Sequence, residues 1–495
     1  MPPGGDSLGG ASLSAKLHWF SGNQNMARYY KYKSADDLSA DAEQLGHSLE
    51  LSDDFAPLFS PIRFGDLEAE NRLAIQPMEG CDCTADGLPD ELTVRRYERF
   101  GAGGAGIVWG EAAAIAPEGR MNPRQLQIND NTATAIEKML NGCFAARRES
   151  IGDDNVIVGL QLTHSGRYAF QKPKPAVHDR WLDPLTIDKS TGKCLDENTP
   201  LLSDDDLKRI EDQYVVAAKL AANIGFHFVD IKQCHRYLLS ELLAAKSRPG
   251  EYGGSLENRS RLVRNVVCRI REECPGLAIA SRFNAYDGIP FRMEEPGSVG
   301  VPVNPTGPFD CSFGTDETDH TQEDLTEPIQ LAKWMRDWGV TLLNVSCGNP
   351  YANPHFVRPA EFPPVDGYHA PEHPLLGVLR HIRVAAAIQN AVPDVPVIGS
   401  GYSWLQDYAM HAGAANVANG SISIVGMGRA TLSHPDFAKE LKENGRMNRK
   451  QICRTFSYCT NLMRAKDHPL GQYATGCPPF DKETYGPLWD EVKGK

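Results

Sequence analysis

The sequence lacks any long apolar segment. Among its 495 residues, no apolar run approaches the roughly 18 residues that a membrane-spanning helix requires. The amino-terminal stretch MPPGGDSLGGASLSAK also lacks the apolar centre of a signal peptide. We therefore expect a cytoplasmic protein that does not bind membranes and begins with a polar, partly flexible tail.

An excess of positive charge is missing as well. The 51 Lys and Arg residues are outnumbered by 64 Asp and Glu residues, which gives a net charge of −13 at pH 7. A protein that binds nucleic acid generally needs a basic face to neutralise phosphates. We therefore expect no nucleic-acid partner, and a small-molecule substrate in a local pocket instead.

The cysteines are too sparse to form a disulfide framework. Twelve of them are spread along the chain, whereas such frameworks are typical of short secreted domains. Cys81 and Cys83 in GCDCT, together with Cys234 and Cys347, show no zinc-ligand spacing. We expect reduced thiols and no metal site.

Eight short apolar runs, rich in residues that favour strands, are present instead. Runs that are apolar on both faces are typical of parallel strands covered on both sides. The runs are LAIQPM (73–78), GIVWGE (106–111), VIVGLQL (156–162), FHFVDIK (226–232), LAIASRF (277–283), TLLNVSC (341–347), VPVIGSG (395–401) and SISIVGM (421–427).

Helical patterns separate these runs. They occupy residues 90–100, 132–149, 203–224, 258–274, 325–339, 375–391 and 405–413. Regular strand–helix alternation over eight strands predicts an α/β fold, the (β/α)8 TIM barrel. The alternative is an open doubly wound sheet, which is less favoured because no clear reversal point is present.

The barrel is predicted to span residues 55–440. It would follow an amino-terminal extension (1–54) and precede a carboxyl-terminal extension (441–495) that packs on the barrel or on a partner subunit. Gly- and Pro-rich segments at 291–324 and 347–374 predict long loops on the functional face.

One motif is misleading. GAGGAG (101–106) matches the dinucleotide-binding pattern G-x-G-x-x-G, but it follows a predicted helix and precedes a predicted strand. The pattern binds a dinucleotide only in the opposite order, strand before helix. We interpret it as a helix end followed by a turn.

Polar residues end several of the predicted strands. Gln161, Lys232 and Arg282 each close an apolar run and would be desolvated there without a partner. Since active sites of barrels lie at the carboxyl ends of the strands, these side chains are candidates for a functional site.

The last two strands end in glycine-rich turns. GSG (399–401) and GMGR (426–429) follow the seventh and eighth strands, where barrels often bind phosphate through backbone N–H groups. Glycine permits close approach of the backbone, and Arg429 adds a bidentate donor. We predict a phosphate-binding site there.

Several motifs in one order resemble the old yellow enzyme family of FMN-dependent oxidoreductases over residues 55–440. EYGGSLENRSR is the most specific of them. The motifs are LFSPIRFGDLEAENRLAIQPM (58–78), GEA (110–112), GLQLTHSGR (159–167), HRYLLSEL (235–242), EYGGSLENRSR (251–261) and GMGRATLSHPDF (426–437).

The resemblance implies a (β/α)8 barrel that holds FMN at its mouth and uses NADH or NADPH as the electron donor. Many relatives self-associate, so a homo-oligomer is expected. The implied contacts of the flavin include Pro77, Met78 and Glu79 along one side, Ala112 through its backbone, Gln161 at the pyrimidine edge, Arg282 at the N1/O2 side, and Gly401, Gly428 and Arg429 at the phosphate.

The resemblance also implies the catalytic residues. Family members often carry two histidines that bind the substrate oxygen and a tyrosine that donates a proton. His235 matches the second histidine and Tyr237 the tyrosine, whereas Lys232 replaces the first histidine. A lysine adds a full charge, which favours an anionic or oxyanion-forming substrate. Alternatively Lys232 pairs with Glu79, itself a departure from the family.

Larger relatives bind a 4Fe–4S cluster after the barrel through four cysteines. In the tail, Cys453 and Cys459 match the positions of the first and third ligands. Phe456 occupies the position of the second ligand, and Cys477 lies later in the sequence than the usual fourth ligand. Since a four-thiolate set is incomplete, we expect no cluster and assign these cysteines to packing.

The sequence therefore predicts an FMN-dependent ene-reductase. NAD(P)H would reduce the flavin, and an activated C=C bond would then receive a hydride at one carbon and a proton from Tyr237 at the other. Three alternatives stay open: a flavin-dependent amine dehydrogenase or demethylase of the trimethylamine dehydrogenase type, a barrel lyase that uses Lys232 as a Schiff base, and a flavin-binding protein without enzymatic activity.

Overall fold

A computed structural model describes residues 28–493 of the chain. Eight parallel strands close into a barrel in which strands adjacent in sequence pair and the last pairs with the first. The strands β1 to β8 are Leu73–Ile75, Ile107–Ala114, Ile157–Thr163, Phe228–Ile231, Ala278–Tyr286, Leu342–Cys347, Val397–Gly399 and Ile424–Met427. All eight predicted strands are confirmed, and the closed ring excludes the open doubly wound sheet.

Helices α1 to α8 surround the barrel, one after each strand. They are Glu91–Ala102, Asp130–Ile151, Asp204–Ile224, Arg261–Glu273, Thr326–Trp338, Pro374–Ala391, Ala409–Ala418 and Phe437–Asn444. The Ser203 side chain caps α3 by accepting a hydrogen bond from the amide of Asp206, and Gly225 ends α3 with φ +104°. GAGGAG lies at the end of α1, as predicted, with Gly103 as the C-cap.

Two predicted helices are interrupted. The helix expected at 258–274 is divided at Ser260, which adopts φ −95° and ψ −1° and whose hydroxyl donates to the carbonyl of Leu256 (2.8 Å) alongside its backbone N–H (2.9 Å). The helix expected at 405–413 begins as a 3-10 helix, because Gln406 adopts φ +48°. The other short helices are Ala56–Phe59, Pro117–Gly119, Gly166–Tyr168, Asp183–Leu185, Leu238–Leu243, Leu256–Arg259, Pro354–Val357 and Ala430–Ser433.

A hairpin closes the amino-terminal end of the barrel. Its strands, Ile62–Phe64 and Leu67–Ala69, pair antiparallel, and Phe64 packs with Trp109 and Phe228 in a cluster separate from the main core. The main core lies between the strands and the surrounding helices. Because apolar side chains fill the interior at this end, the barrel offers space for a ligand at its carboxyl end.

Three insertions enlarge that carboxyl end. The segment between β5 and α5 contains the hairpin Phe291–Arg292 with Val301–Pro302. The β6 insertion, residues 348–373, carries the helix Pro354–Val357. A third insertion, between β3 and α3, contains the hairpin Ile187–Asp188 with Lys193–Cys194 and was not anticipated from the sequence.

The chain outside the barrel packs on it. The helix Ala35–Gln44 precedes the barrel, and the amide of Tyr30 donates to the Glu361 carboxylate (3.2 Å). The helices Tyr458–Arg464 and Lys482–Lys493 follow the barrel, and Asp481 forms an ion pair with Arg95 of α1 (2.8 Å). The predicted polar tail MPPGGDSLGGASLSAK, at the start of the amino-terminal extension 1–54, lies outside the described residues. Nothing in the described helices has the length and apolar character of a membrane span.

Candidate active site

The carboxyl ends of the strands surround a cavity of about 870 Å³. Eleven of the twelve predicted site residues line it, namely Pro77, Met78, Glu79, Gln161, Lys232, His235, Tyr237, Arg282, Gly401, Gly428 and Arg429. Ala112 does not line the cavity: it is 1% exposed, and its carbonyl accepts a hydrogen bond from Gln125 Nε2 (3.0 Å). The structure therefore brings together residues that span more than 350 positions of sequence.

A strained turn after β4 directs two side chains into this cavity. His235 and Arg236 adopt φ +66° and +60°, a region that costs roughly 1–3 kcal/mol for residues other than glycine. The Arg236 guanidinium holds the turn by ion pairs with Asp179 and with Asp287 (3.0 Å for Asp287). As a result, His235 and Tyr237 both line the cavity.

Lys232 is paired with Glu79, which is one of the two arrangements that the sequence allowed. Its Nζ lies 3.4 Å from Glu79 Oε1 and 3.8 Å from the centroid of the Tyr237 ring. The hydroxyl of Tyr237 donates to the same carboxylate oxygen over 3.2 Å. The carboxylate thus links the lysine and the tyrosine, while Glu79 Oε2 is buried without a partner.

His235 is held in its neutral form. Burial, followed by the positive charges of Arg282 and Lys232, lowers the pKa of His235 well below its usual value. Its Nε2 lies 3.2 Å from the hydroxyl of Ser346, at the end of β6. A neutral imidazole here can exchange hydrogen bonds with a substrate oxygen without adding charge.

Tyr237 is a weak acid in this environment. Burial, then the carboxylate of Glu79 and the neighbouring Tyr351, raises the pKa of Tyr237 well above its ordinary value. The two tyrosine oxygens are 2.7 Å apart, and the ring of Tyr168 lies 4.3 Å from that of Tyr351. A tyrosine cluster therefore forms one wall of the cavity.

Asp230, inside β4, fixes the orientation of Gln161. One carboxylate oxygen accepts hydrogen bonds from Gln161 Nε2 (2.6 Å) and Trp109 Nε1 (2.7 Å), and the other accepts one from the backbone N–H of Arg282 (2.7 Å). Because a carboxylate only accepts, the amide nitrogen of Gln161 is directed toward it. The amide oxygen of Gln161 is left for the cavity, as an acceptor.

The glycine-rich turns after β7 and β8 border the opposite end of the cavity. A Cβ on Gly428 would have only Gln76 and Met78 near it, at 3.8 and 3.9 Å, so this face of the backbone is open. Arg429 Nη2 donates to the carbonyl of Pro359 (2.9 Å), and its Nη1 is buried without a partner. Among the predicted phosphate-binding residues, Gly428 therefore leaves room beside its backbone, and Arg429 has one guanidinium nitrogen without a partner.

A second arginine, Arg358 of the β6 insertion, lies beside Arg429. Its Nη1 donates to Thr460 Oγ1 (2.8 Å). Burial, followed by the charges of Arg464 and Arg429, lowers the pKa of Arg358 to about 9, so it remains charged at neutral pH. Arg464 is neutralised by Asp366 (2.9 Å), whereas no carboxylate among residues 28–493 pairs with Arg358.

Part of the tail, here called the covering segment (residues 458–475), completes the cavity wall. It contributes Cys459, Thr460, Met463, Arg464, Ala465, Lys466, Asp467, Gly471, Gln472 and Thr475. The amide of Thr475 donates to the carbonyl of Gly80 (2.6 Å), which anchors the segment over the β1 end. No motif in the tail predicts this placement.

The tail cysteines converge on a smaller cavity. Cys453, Cys459 and Cys477 line a space of about 230 Å³ together with Phe456, and Cys459 also borders the main cavity. Among the described residues no fourth cysteine lines this space. The three tail cysteines therefore line the same space.

A different cluster, Asp82, Cys83 and Glu111, has ligand atoms within 4.8 Å of one another. Arg96 forms ion pairs with both carboxylates, at 2.6 Å from Glu111. The guanidinium therefore supplies the positive charge of this cluster and locks the GCDCT loop beside the cavity.

Comparisons with known proteins agree with this architecture. The model of the NADH:flavin oxidoreductase / NADH oxidase family matches residues 57–295. An NADH oxidase of Thermoanaerobacter brockii is 24% identical over 402 residues, 81% of this chain and 52% of that protein, so the alignment covers about half of the relative. An NADPH dehydrogenase of Bacillus subtilis strain 168 is 28% identical over 299 residues, 59% of this chain and 73% of that protein.

The fold has solved counterparts. A structure of an old yellow enzyme homologue from Zymomonas mobilis superimposes with a TM-score of 0.54 at 22% identity, covering 79% of this chain and 94% of that one. At this level of identity the likeness concerns the barrel fold.

Asp230 makes a testable contribution to stability. Burial raises its pKa to about 6, so the folded protein binds this proton more tightly than the unfolded chain. The folded state therefore loses stability as the pH rises from about 4 to about 6, by on the order of 3 kcal/mol. Urea unfolding of wild type and Asp230→Asn across this pH range should show this decrease in the free energy of unfolding for the wild type and not for the variant. A constant difference between the two proteins would mean that Asp230 is ionised throughout.

Proposed function

Because the chain belongs to the NADH:flavin oxidoreductase / NADH oxidase family, which includes the old yellow enzymes, we propose that it reduces an activated carbon–carbon double bond with electrons from NADH or NADPH. FMN is the flavin of this reaction. The observation that carries the proposal is the placement of His235, Tyr237, Arg282 and Arg429 around one cavity of about 870 Å³.

The residues of the cavity fit FMN. Three guanidinium groups that line it, Arg282, Arg358 and Arg429, form no ion pair with any carboxylate among residues 28–493, and buried nitrogens of Arg282 and Arg429 have no hydrogen-bond partner. An anion bound in the cavity would balance these charges. FMN carries a phosphate dianion at one end and, at the other, a pyrimidine edge with one N–H donor between two carbonyl oxygens.

We assign each end of FMN to residues of this chain. The amide oxygen of Gln161 is suited to accept from the pyrimidine N–H, and Arg282 to stabilise negative charge at the same edge. Gly401, Gly428, Arg429 and Arg358 would hold the phosphate through backbone and guanidinium N–H groups. Pro77 and Met78 would contact the ring system.

When bound, FMN supplies the hydride that the substrate receives. The chain itself holds the substrate oxygen and provides a proton. His235, neutral and within the cavity, donates a hydrogen bond to the activating oxygen, and the ammonium of Lys232 adds positive charge nearby. Glu79 balances that ammonium (3.4 Å), so a neutral carbonyl is as acceptable as a carboxylate. Tyr237 protonates the carbon opposite the hydride.

A second function, oxidation of an amine, is favoured by one specific observation. The face of the Tyr237 ring and the Glu79 carboxylate already hold the cationic Lys232, whose Nζ lies 3.8 Å from the Tyr237 centroid, and Glu79 Oε2 is buried without a partner. Such surroundings stabilise an ammonium group. Anaerobic loss of the flavin colour on adding an amine, but not NADPH, would favour this function over alkene reduction.

The proton-donor role of Tyr237 predicts a selective defect. Tyr237→Phe removes the hydroxyl but keeps the ring, so reduction of the flavin by NAD(P)H should stay within about twofold of wild type. Reoxidation by an enone should slow by roughly 10²-fold or more, because general acid catalysis contributes about 10²–10⁴. Stopped-flow absorbance separates the two half-reactions. Equal losses in both would contradict the role.

The phosphate role of Arg358 predicts a change in flavin selectivity. Arg358→Gln should weaken FMN binding by roughly 10- to 100-fold, the effect of losing a hydrogen bond to a charged group, and should leave riboflavin binding unchanged. Flavin fluorescence quenching measures both dissociation constants. Arg464→Gln is the matched control, because Asp366 already neutralises Arg464. Equal weakening of FMN and riboflavin would point to a general structural role for Arg358.

A further inference from the structure

The hydroxyl of Tyr237 belongs to a directed chain of hydrogen bonds. Tyr237 has one hydroxyl hydrogen, and that hydrogen points to Glu79 Oε1 over 3.2 Å. Either hydroxyl can donate in the 2.7 Å contact between Tyr237 and Tyr351, and while Tyr237 donates to Glu79 the hydrogen in this contact comes from Tyr351. The chain runs from Tyr351 to Tyr237 and from there to the carboxylate.

The two ends of this chain differ in access to water. Tyr237 is 2% exposed, whereas Tyr351 is 42% exposed. The backbone N–H of Tyr351 donates to Asn349 Oδ1 (2.9 Å), and the Tyr237 and Tyr351 rings are within 13° of parallel. Tyr351 is thus anchored between the buried acid and the solvent.

A phenolate left alone on Tyr237 would be costly. It would lie in a desolvated position, 3.2 Å from the carboxylate of Glu79, where both burial and charge repulsion disfavour it. A bound substrate would also shield this position from water. Proton loss from Tyr237 therefore needs a replacement proton from a neighbour, and the closest hydroxyl is that of Tyr351.

We propose that Tyr351 is a second proton-transfer residue, which passes a proton from the cavity mouth to Tyr237 while Tyr237 protonates the substrate. This rests on the proposed alkene reduction. The O–H bond of Tyr237 breaks as the new C–H bond forms, and the O–H bond of Tyr351 breaks as that of Tyr237 is restored. Burial and the carboxylate of Glu79 also raise the pKa of Tyr351, so the negative charge does not stay on Tyr351 but passes to water at the cavity mouth, which supplies the last proton. The hydride and this proton together complete the reduction of the double bond.

The test is anaerobic stopped-flow reoxidation of the NADPH-reduced holoenzyme by an enone, in mixtures of H₂O and D₂O. Tyr351→Phe should slow reoxidation by roughly 10- to 100-fold, less than the roughly 10²–10⁴-fold of a primary general acid, because Tyr237 remains in place. The wild type should show a curved dependence of rate on deuterium fraction, from two protons in motion, and the variant a linear one. Tyr351→His, which restores a proton carrier, should recover part of the rate.

Tyr368→Phe is the matched control. Tyr368 belongs to the same insertion, but its hydroxyl contacts His355 (2.8 Å), and it does not line the main cavity. This variant should match wild type in rate and in isotope dependence. Wild-type behaviour of Tyr351→Phe on both counts would overturn the relay and leave alkene reduction intact. Failure of every enone to reoxidise the wild type would instead overturn alkene reduction and the relay together.

Discussion

A guanidinium removed from water needs a counter-charge, because its desolvation otherwise costs several kcal/mol. At the mouth of this barrel, Arg96 and Arg236 obtain that charge from carboxylates of the chain. Arg282, Arg358 and Arg429 do not, within the described residues. The first group holds loops in place, and we propose that the second group binds an anionic ligand. This division separates the supporting structure from the binding surface.

The same principle governs the acidic groups. Asp230 is fully buried yet satisfied by three N–H donors, and it thereby orients Gln161. Glu79 accepts a hydrogen bond from Tyr237 and pairs with Lys232, so the proposed proton donor and the ammonium group share one carboxylate. These contacts explain how a chain with a net charge of −13 keeps a positively charged pocket.

The barrel could be predicted from the sequence because each strand is covered on both faces and reads as a continuous apolar run. All of the predicted site residues except Ala112 line one cavity, because they follow such runs closely and the topology leaves little freedom there. Asp230 was not predicted as a site residue. A charged residue within an apolar run, as in FVDIK, nevertheless indicates a buried hydrogen-bond network.

The residues contributed by loops could not be predicted in this way. Tyr351 and Arg358 lie in the β6 insertion, and the covering segment lies far along the tail, where no periodic pattern fixes the path of the backbone. Their positions depend on tertiary contacts such as those of Asn349 with Tyr351 and of Thr460 with Arg358. For Lys232 the sequence allowed two roles, contact with the substrate or pairing with Glu79. Charge balance favours the pairing, but the sequence alone does not give the distance between the two side chains.

The central claim is that the unpaired arginines make this cavity an FMN site. The most direct measurement is the absorbance spectrum of the purified chain after incubation with FMN and removal of free flavin by gel filtration. The account predicts a yellow protein with close to one FMN per chain. A colourless protein that retains no FMN, although it is folded by circular dichroism, would contradict it.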